Sequence, residues 1–504
     1  MPKSYIQDIL SANVYDVAIE TPLQPARNLS RRIGNQILIK REDMQPVFSF
    51  KLRGAYNKMR QLTDEQRGQG IVAASAGNHA QGVALSAQYL GCKATIVMPR
   101  TTPAIKVNAV KGWGAKVVLH GDTYDEASAH AFSLVEEKGM TYVHPYDDRQ
   151  VIAGQGTIGV EILRQNPGPL DIVFVPVGGG GLAAGVAAYI KYVRPEVKII
   201  AVEPEDAACL KAAMAANKRV TLPEVGIFAD GVAVGQIGKE TYRVLKETVD
   251  EVITASTDEM CAAIKDIFED TRSIAEPAGA LSLAGLKKYV AEHGLEGQTL
   301  VAIESGANTN FDRIRYFSER TQLGEKSEAI LAVEIPEKPG SFKTFCSILG
   351  KRSITEFNYR FSDNKAAQIF VGMQVKDADD RQAIIDKLVN KGYSVEDMTL
   401  NEIAKEHVRH MVGGIAPSID DEVVYTFTFP ERPGALMNFL DRLGQRWNIS
   451  MFHYRNHGAA YGRVLVGLQV AEGERDQIAP VFDELGYRYD EETDNTAYQT
   501  FLKA

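Results

Sequence analysis

Four segments of the chain carry side chains or backbone patterns that could do chemistry. The first is Ser49-Phe50-Lys51-Leu52-Arg53-Gly54-Ala55, where a lysine directly follows an aromatic residue near the start of a predicted helix. Lysine is rarely buried, so Lys51 by itself would be a solvated surface residue. Taken with the other three segments, its amine becomes a candidate nucleophile that can hold an aldehyde as a Schiff base.

The second segment, Ser75-Ala76-Gly77-Asn78-His79-Ala80, is a turn of small residues between a predicted strand and a predicted helix. Backbone N–H groups and the helix N-terminus at such a turn suit an anion, here a substrate carboxylate. The alternative is an ordinary helix cap made by Ser75 or Asn78. His79 could be a base or a metal ligand, but no second histidine stands at ligand spacing, so a capping or packing role is favoured.

The third segment, Gly178-Gly179-Gly180-Gly181-Leu182, joins a predicted strand to a predicted helix. Four glycines let the backbone approach a phosphate closely, and the helix N-terminus favours its negative charge. The alternative is a flexible turn without a ligand. The segment lacks the Lys-Ser/Thr pair of a P-loop, which disfavours a nucleoside triphosphate.

The fourth segment, Glu304-Ser305-Gly306-Ala307-Asn308, follows the predicted strand 299–303 and places a hydroxyl where cofactors bind to α/β sheets. A reactive lysine, an anion-binding turn, a glycine cradle and a strand-end serine together indicate a phosphorylated aldehyde cofactor. Residues 154–159 also match the G-x-G-x-x-G dinucleotide pattern. No clear strand precedes them and residues 150–163 are predicted to form one helix, so NAD is not expected.

Short apolar runs alternate with amphipathic stretches from about residue 70 to residue 202, with strands predicted at 71–74, 94–98, 116–119, 172–177 and 199–202, and the alternation resumes near residue 252 and ends around residue 305. Strands that are apolar on both faces and separated by helices are typical of a parallel sheet covered by helices, the α/β class. Ligands of such sheets bind at the carboxyl ends of the strands. All four segments are predicted to lie there or beside it.

Beyond residue 320 the sequence contains an internal repeat. Pro336-Glu337-Lys338-Pro339-Gly340-Ser341 recurs 94 residues later as Pro430-Glu431-Arg432-Pro433-Gly434-Ala435. Each copy has the βαββαβ order of the ferredoxin-like fold. The alternative to a regulatory role is a plain packing module. We expect a catalytic domain at 1–320, a linker at 321–328, a first module at 329–400, a connector at 401–422 and a second module at 423–504.

Composition narrows the class of protein. The 504 residues are 45% hydrophobic and 24% charged, close to the average of folded globular proteins. A net charge of −9 without basic runs argues against nucleic acid or an anionic membrane as a partner. The four cysteines are far apart and no segment is predicted to cross a membrane, so the expected location is the cytoplasm.

In their order along the chain, the four segments resemble the motifs of fold type II pyridoxal-phosphate (PLP) enzymes. With the doubled C-terminal module, essentially the whole chain resembles the biosynthetic threonine dehydratases, also called threonine deaminases. The resemblance implies an α/β catalytic domain like the tryptophan synthase β subunit, followed by α+β ferredoxin-like ACT-type regulatory modules. It also implies a PLP-dependent threonine ammonia-lyase that converts L-threonine to 2-oxobutanoate and ammonia, the first step of isoleucine biosynthesis.

The resemblance assigns roles to residues of the four segments. Lys51 would bind PLP covalently, Phe50 would pack beside the PLP ring, and Asn78 would bond the 3′-oxygen. Ser305 would bond the pyridine nitrogen as a neutral partner. The phosphate would be held by Gly178, Gly179, Gly180, Gly181 and Leu182, and the substrate carboxylate by Ser75, Gly77, Asn78 and His79.

The resemblance also implies feedback control and a homotetramer. In this family isoleucine inhibits the enzyme and valine relieves the inhibition. The implied effector contacts are Tyr359 and Tyr454, with Glu431, Leu436 and Leu443. Relatives of serine racemase bind a divalent cation through two acidic residues six positions apart; here Glu203 matches the first and Cys209 stands at the second, so no metal is expected. Two alternatives stay open: a serine/threonine dehydratase or racemase of the same fold, and a catalytically silent amino-acid sensor.

Overall fold

A computed structural model of the chain describes residues 3–324, 328–336, 341–349, 352, 354–361, 366–408, 421–430, 439, 447–455 and 461–503. The chain divides into two compact units, Met1–Phe317 and Ser318–Ala504. Among the described helices none is long and apolar enough to cross a membrane.

The first unit contains a six-stranded sheet in the order β1-β2-β10-β7-β8-β9. All neighbouring strands are parallel except β1 and β2. Alternate residues of β7 lie in two different hydrophobic clusters, Val173 and Val175 in one and Ile172 and Phe174 in the other. Both faces are therefore covered, as the apolar runs predict. The strands are β1 (Leu23–Pro25), β2 (Gln36–Arg41), β7 (Ile172–Pro176), β8 (Lys198–Pro204), β9 (Glu251–Ala255) and β10 (Thr299–Glu304).

A second, four-stranded parallel sheet in the same unit has the order β5-β4-β3-β6. Its strands are β3 (Ile71–Ala74), β4 (Ala94–Met98), β5 (Lys116–Leu119) and β6 (Thr141–Tyr142). We call residues 178–181 the glycine turn. It follows β7 of the larger sheet, and the Ser75–His79 turn follows β3 of the smaller sheet. The first unit therefore has two sheets that each supply part of the predicted site, and the α/β prediction is confirmed.

Helices connect these strands. Three of them begin with a capping box, in which Thr63, Thr123 or Ser256 accepts from the third residue of its helix. The helices are α1 (Lys3–Leu10), α2 (Arg27–Ile33), α3 (Lys51–Arg60), α4 (Asp64–Gln69), α5 (Asn78–Leu90), α6 (Ala104–Gly112), α7 (Tyr124–Lys138), α8 (Arg149–Gln165), α9 (Gly181–Val193), α10 (Cys209–Ala216), α11 (Lys239–Thr248), α12 (Thr257–Thr271), α13 (Pro277–His293) and α14 (Arg313–Gly324).

The G-x-G-x-x-G sequence lies inside α8, which confirms the predicted helix. A Cβ added at Gly154 would lie 2.6 Å from the carbonyl oxygen of Arg53 in α3, and one added at Gly156 would lie 3.1 Å from the carbonyl oxygen of Gly185 in α9. These glycines therefore allow α8 to pack closely on two neighbouring helices, rather than forming a turn between a strand and a helix.

The second unit contains two antiparallel sheets of the same design, β12-β13-β11-β14 and β16-β17-β15-β18. Both have a register irregularity at equivalent places, between Ile354 and Glu356 and between Ile449 and Met451. The strand order confirms the ferredoxin-like prediction. The elements are β11 (Glu328–Pro336), α15 (Ser341–Leu349), β12 (Ile354–Phe361), β13 (Ala366–Gln374), α16 (Ala378–Val389), β14 (Ser394–Asp397), α17 (Glu402–Glu406), β15 (Glu422–Pro430), β16 (Asn448–Arg455), β17 (Tyr461–Gln469), α18 (Ile478–Leu485), β18 (Arg488–Glu491) and α19 (Thr496–Phe501).

The two modules share a hydrophobic cluster, which makes the second unit a single body. Ile330 and Phe370 of the first module pack in it with Leu465 and Tyr498 of the second. The boundary between the two units falls within α14, at Phe317–Ser318, and of the predicted linker 321–328 residues 321–324 belong to α14 and Glu328 begins β11.

Candidate active site

Lys51 is the first residue of α3, and its amine lies near a backbone carbonyl and an aromatic ring. The Nζ atom donates to the carbonyl oxygen of Pro145 at 3.0 Å and lies 5.2 Å from the centre of the Phe50 ring. Burial lowers the pKa of the Lys51 amine to about 8, although the charge of Glu276 opposes this. A neutral amine is thus accessible near neutral pH, as a nucleophile or a base requires.

A buried ionic cluster fixes the beginning of α3. We call Lys40, Glu42, Arg53 and Glu161, all fully buried, the Arg53 cluster. Arg53 donates to Glu42 at 2.8 Å and to Glu161 at 2.6 Å, and Lys40 donates to Glu161 at 2.6 Å. Because Arg53 lies two residues after Lys51, these bonds hold the backbone from which the Lys51 side chain projects.

The glycine turn joins β7 to α9. Gly180 has a φ of +91°, which disfavours any residue with a Cβ. A Cβ at Gly179 would lie 2.2 Å from the Tyr146 ring, and one at Gly178 would lie 2.8 Å from the Cα of Val232. Only glycine fits at these positions, so the backbone N–H groups and the α9 N-terminus face the site without side chains.

Asn78 and Ser305 lie after strands of the two different sheets of the first unit. Ser305 follows β10, and its hydroxyl donates to the carbonyl oxygen of Ala278 at 3.2 Å. Asn78 begins α5, and its Nδ2 donates to Oε1 of Glu276 at 2.5 Å. The Ser305 hydroxyl can rotate toward another partner, and the second N–H of Asn78 is available to an acceptor.

Every residue predicted to contact the cofactor lines one cavity. An amine, an amide, a hydroxyl and a helix N-terminus with no side chains fit the aldehyde, 3′-oxygen, ring nitrogen and phosphate of PLP. The walls are Phe50, Lys51, Asn78, Tyr146, Pro176, Gly178, Gly179, Gly180, Gly181, Leu182, Gly231, Val232, Glu276, Ala278 and Ser305.

The other predicted substrate residues lie beside Asn78 at the end of β3. The Ser75 hydroxyl accepts from the Gly77 N–H at 3.3 Å, a local turn bond. His79 is buried and its Nε2 lies 2.8 Å from the Val143 carbonyl oxygen. Burial, helped by the charge of Lys51, lowers the pKa of His79 to about 3, so this imidazole is neutral. These contacts favour packing over catalysis for His79, and the carboxylate roles of Ser75 and Gly77 stay predictions.

Sequence reasoning missed six residues of the cavity wall, and two of them, Glu276 and Tyr146, carry polar side chains. Burial, and secondarily the charge of Asp230, raises the pKa of Glu276 to about 7. An acidic residue directly before Pro277, at the start of a buried helix, was the available signal. Tyr146 had no comparable signal, since its contact with the glycine turn depends on how the loop after β6 folds.

Glu203, the first acidic residue of the metal pattern, caps a helix. It is fully buried and accepts from the N–H groups of Leu210 and Lys211 at 2.7 and 2.8 Å. Burial raises the pKa of Glu203 to about 7. Among the described residues no group of three or more metal-ligating side chains occurs.

The predicted effector residues belong to the second unit. Tyr359 and Tyr454 lie in β12 and β16, the equivalent strands of the two modules. Their side chains, together with Glu431, Leu436 and Leu443, lie outside the described residues.

Comparison with known proteins identifies the families that the two parts of the chain match. Residues 14–306 match the family described as pyridoxal-phosphate dependent enzyme. Residues 319–408 and 414–502 each match the C-terminal regulatory domain of threonine dehydratase.

Similar proteins cover nearly the whole chain. L-threonine dehydratase biosynthetic IlvA of Burkholderia multivorans is 55% identical over 99% of this chain and 99% of its own length. The Escherichia coli protein of the same name is 55% identical over 99% of this chain and 97% of its own. A solved threonine deaminase isoform 2 from Solanum lycopersicum is 49% identical, with a TM-score of 0.62, over 63% of this chain and 93% of its own. The chain therefore belongs to the biosynthetic threonine dehydratase family of fold type II PLP-dependent enzymes.

Proposed function

We propose that this chain converts L-threonine to 2-oxobutanoate and ammonia, the first step of isoleucine biosynthesis. The observation that carries the proposal is that Lys51, Asn78, Ser305 and the glycine turn, which are far apart in sequence, line one cavity. The chemistry that PLP supplies when bound is an electron sink that stabilises negative charge at the substrate Cα.

Lys51 is the residue we assign to proton transfer. Because the pKa of its amine is about 8, a fraction of the Lys51 side chain is neutral near pH 7. The neutral amine can take the Cα proton, and the ammonium formed can return a proton later. The Ser305 hydroxyl is a neutral partner for the ring nitrogen and does not hold it as a cation. This favours loss of the β-hydroxyl over reactions that need a deeper electron sink.

The remaining cavity residues bind and orient. Backbone N–H groups of Gly178 to Leu182 and the N-terminus of α9 would hold the PLP phosphate. Phe50 packs against one side of the cavity near Lys51. The turn formed by Ser75, Gly77, Asn78 and His79 would receive the threonine carboxylate, since it combines small residues with the N-terminus of α5.

For the second unit we propose feedback control, with isoleucine as the inhibitor and valine as its antagonist. Two modules that match the regulatory domain of threonine dehydratase support this proposal. A coupling free energy of about 1–3 kcal/mol between the effector and substrate sites would suffice. We further propose a catalytic domain at 1–320, modules at 329–400 and 423–504, and a homotetramer. The cytoplasm is the proposed location, since Cys92 and Cys209 are thiols and not disulfides.

The test is release of a 2-oxo acid from L-threonine by the purified protein with PLP. Lys51→Ala should abolish it, whereas Lys111→Ala, at an exposed lysine of α6, should not. Isoleucine should suppress turnover and valine should restore it. Turnover by Lys51→Ala at the wild-type rate would overturn the catalytic assignment.

Serine racemization is the second candidate, because a maize serine racemase is 34% identical with a TM-score of 0.58. That likeness covers only 61% of this chain, which leaves the regulatory modules unexplained. Formation of D-serine from L-serine at a rate above threonine turnover would favour it.

A further inference from the structure

Glu276 occupies an unusual place for a residue at the start of a helix. It is the N-cap of α13, yet its side chain makes no capping hydrogen bond to that helix. Its carboxyl instead lies in the cavity wall between two glycines. A Cβ added at Gly306 or Gly231 would lie 2.8 or 3.5 Å from Oε1 of Glu276. The backbone on both sides therefore leaves room for this carboxyl to reach Asn78.

The Asn78 amide is held at both ends by hydrogen bonds from distant parts of the chain. Asn308 Nδ2 donates to the Val47 carbonyl oxygen at 2.7 Å and to Asn78 Oδ1 at 2.8 Å. Asn78 Nδ2 donates to Glu276 Oε1 at 2.5 Å. Because the Val47 carbonyl can only accept, it orients the Asn308 amide, and Asn308 in turn makes Asn78 present its oxygen there and its nitrogen toward Glu276.

We propose that Glu276 and Asn308 are positioning residues that fix the Asn78 amide so that its second N–H donates to the 3′-oxygen of PLP. This rests on the proposed function, since it requires PLP in the cavity. Neither residue has to touch the reacting atoms. Without them the Asn78 amide could rotate by half a turn and present an oxygen to the cofactor oxygen, which would be repulsive.

The charges around Glu276 are compatible with this role. Asp230 lies close enough to raise the pKa of Glu276, while Lys106 and Arg313 lower it, and the charge of Glu276 in turn acts to raise the pKa of Lys51. Lys106 forms an ion pair with Asp230. Whether charged or protonated, the carboxyl of Glu276 retains an oxygen that can accept from Asn78.

Three variants of the full-length protein test the proposal. Glu276→Gln keeps an acceptor for Asn78, whereas Glu276→Leu removes it. Asn308→Asp replaces the donor with an oxygen of the same shape and so opposes the native orientation of Asn78. The matched control is Asn166→Asp, since Asn166 Nδ2 donates to a carbonyl oxygen in an exposed turn after α8.

The readouts are the dissociation constant for PLP and the position of the visible absorbance band of bound PLP. Glu276→Leu and Asn308→Asp should weaken PLP binding by about tenfold or more, the effect of losing one buried hydrogen bond, and shift the band. Glu276→Gln and the control should stay within about threefold with an unshifted band. Far-UV circular dichroism identifies a variant that has not folded. If Glu276→Leu does not fold, the result for Asn308→Asp decides.

The outcomes separate this proposal from the proposed function. Wild-type affinity and an unshifted band in a folded Asn308→Asp variant would overturn the positioning role while leaving the function intact. If Lys51→Ala keeps the wild-type absorbance band, PLP is not held as proposed, and both fail together.

Discussion

Replacing Glu276 with glutamine should make the stability of the first unit less dependent on pH. Burial, with a smaller contribution from the charge of Asp230, raises the pKa of Glu276 from 4.5 to about 7. The folded chain therefore binds this proton more tightly than the unfolded chain, and stability falls as the pH rises from about 4.5 to about 7. The difference between the two pKa values, at about 1.4 kcal/mol per pH unit, corresponds to about 3 kcal/mol above pH 7.

Urea unfolding of the PLP-free protein at pH 5 and pH 8 measures this effect. The chain has two tryptophans, Trp113 in the first unit and Trp447 in the second, so a Trp447→Phe background lets fluorescence report the first unit. Glu276→Gln should gain about 2.5 kcal/mol relative to its parent between the two pH values, because the unfolded carboxyl is already mostly deprotonated at pH 5. Glu65→Gln, at an exposed residue of α4, is the control. Parallel pH profiles for Glu276→Gln and its parent would refute the reasoning.

Two further substitutions test the surroundings of Lys51 and the phosphate site. Arg53→Met should lower the free energy of unfolding of the first unit by about 3–5 kcal/mol, because the Arg53 cluster keeps two buried carboxylates and loses their shared cation. Urea unfolding followed by Trp113 measures it, and a loss below about 1 kcal/mol would contradict the role given to this cluster. Gly179→Ala should weaken PLP binding by at least about tenfold, since its methyl would lie 2.2 Å from the Tyr146 ring. An absorbance titration with Gly168→Ala as control checks this, and unchanged affinity would show that the turn tolerates a side chain.

Much of the fold could be predicted because its central strands, such as β3 and β7, are apolar and buried on both faces. The predicted strands 71–74, 94–98 and 116–119 coincide with β3, β4 and β5. In such a sheet, the turn residues on either side of a short apolar run fix where the strand begins and ends. The internal repeat predicted the two modules in the same way, since each copy has to form the same core.

The cofactor side of the cavity was also predictable, because each part has a local signature. A glycine turn after a strand and a serine after another strand place backbone and hydroxyl groups at strand ends without knowledge of the rest. The contact between Asn78 and Glu276 joins residues 198 positions apart, and no local pattern marks it.

Buried charge was the feature that sequence patterns could not predict. Arg53 is fully buried between Glu42 and Glu161, although nothing in the sequence of the Lys51 segment marks it as buried. Charged residues are normally exposed, so a buried cluster becomes visible only when several helices and strands meet. The neutral state of His79 likewise depends on burial and on the nearby Lys51 amine.

The central claim, that Lys51 carries PLP, is tested most directly by reducing the holoenzyme with borohydride and locating the cofactor adduct by peptide mass spectrometry. The structure predicts an adduct on the peptide that contains Lys51, and none on the corresponding peptide of the Lys51→Ala protein. An adduct on a different lysine, with the Lys51 peptide unmodified, would contradict the claim.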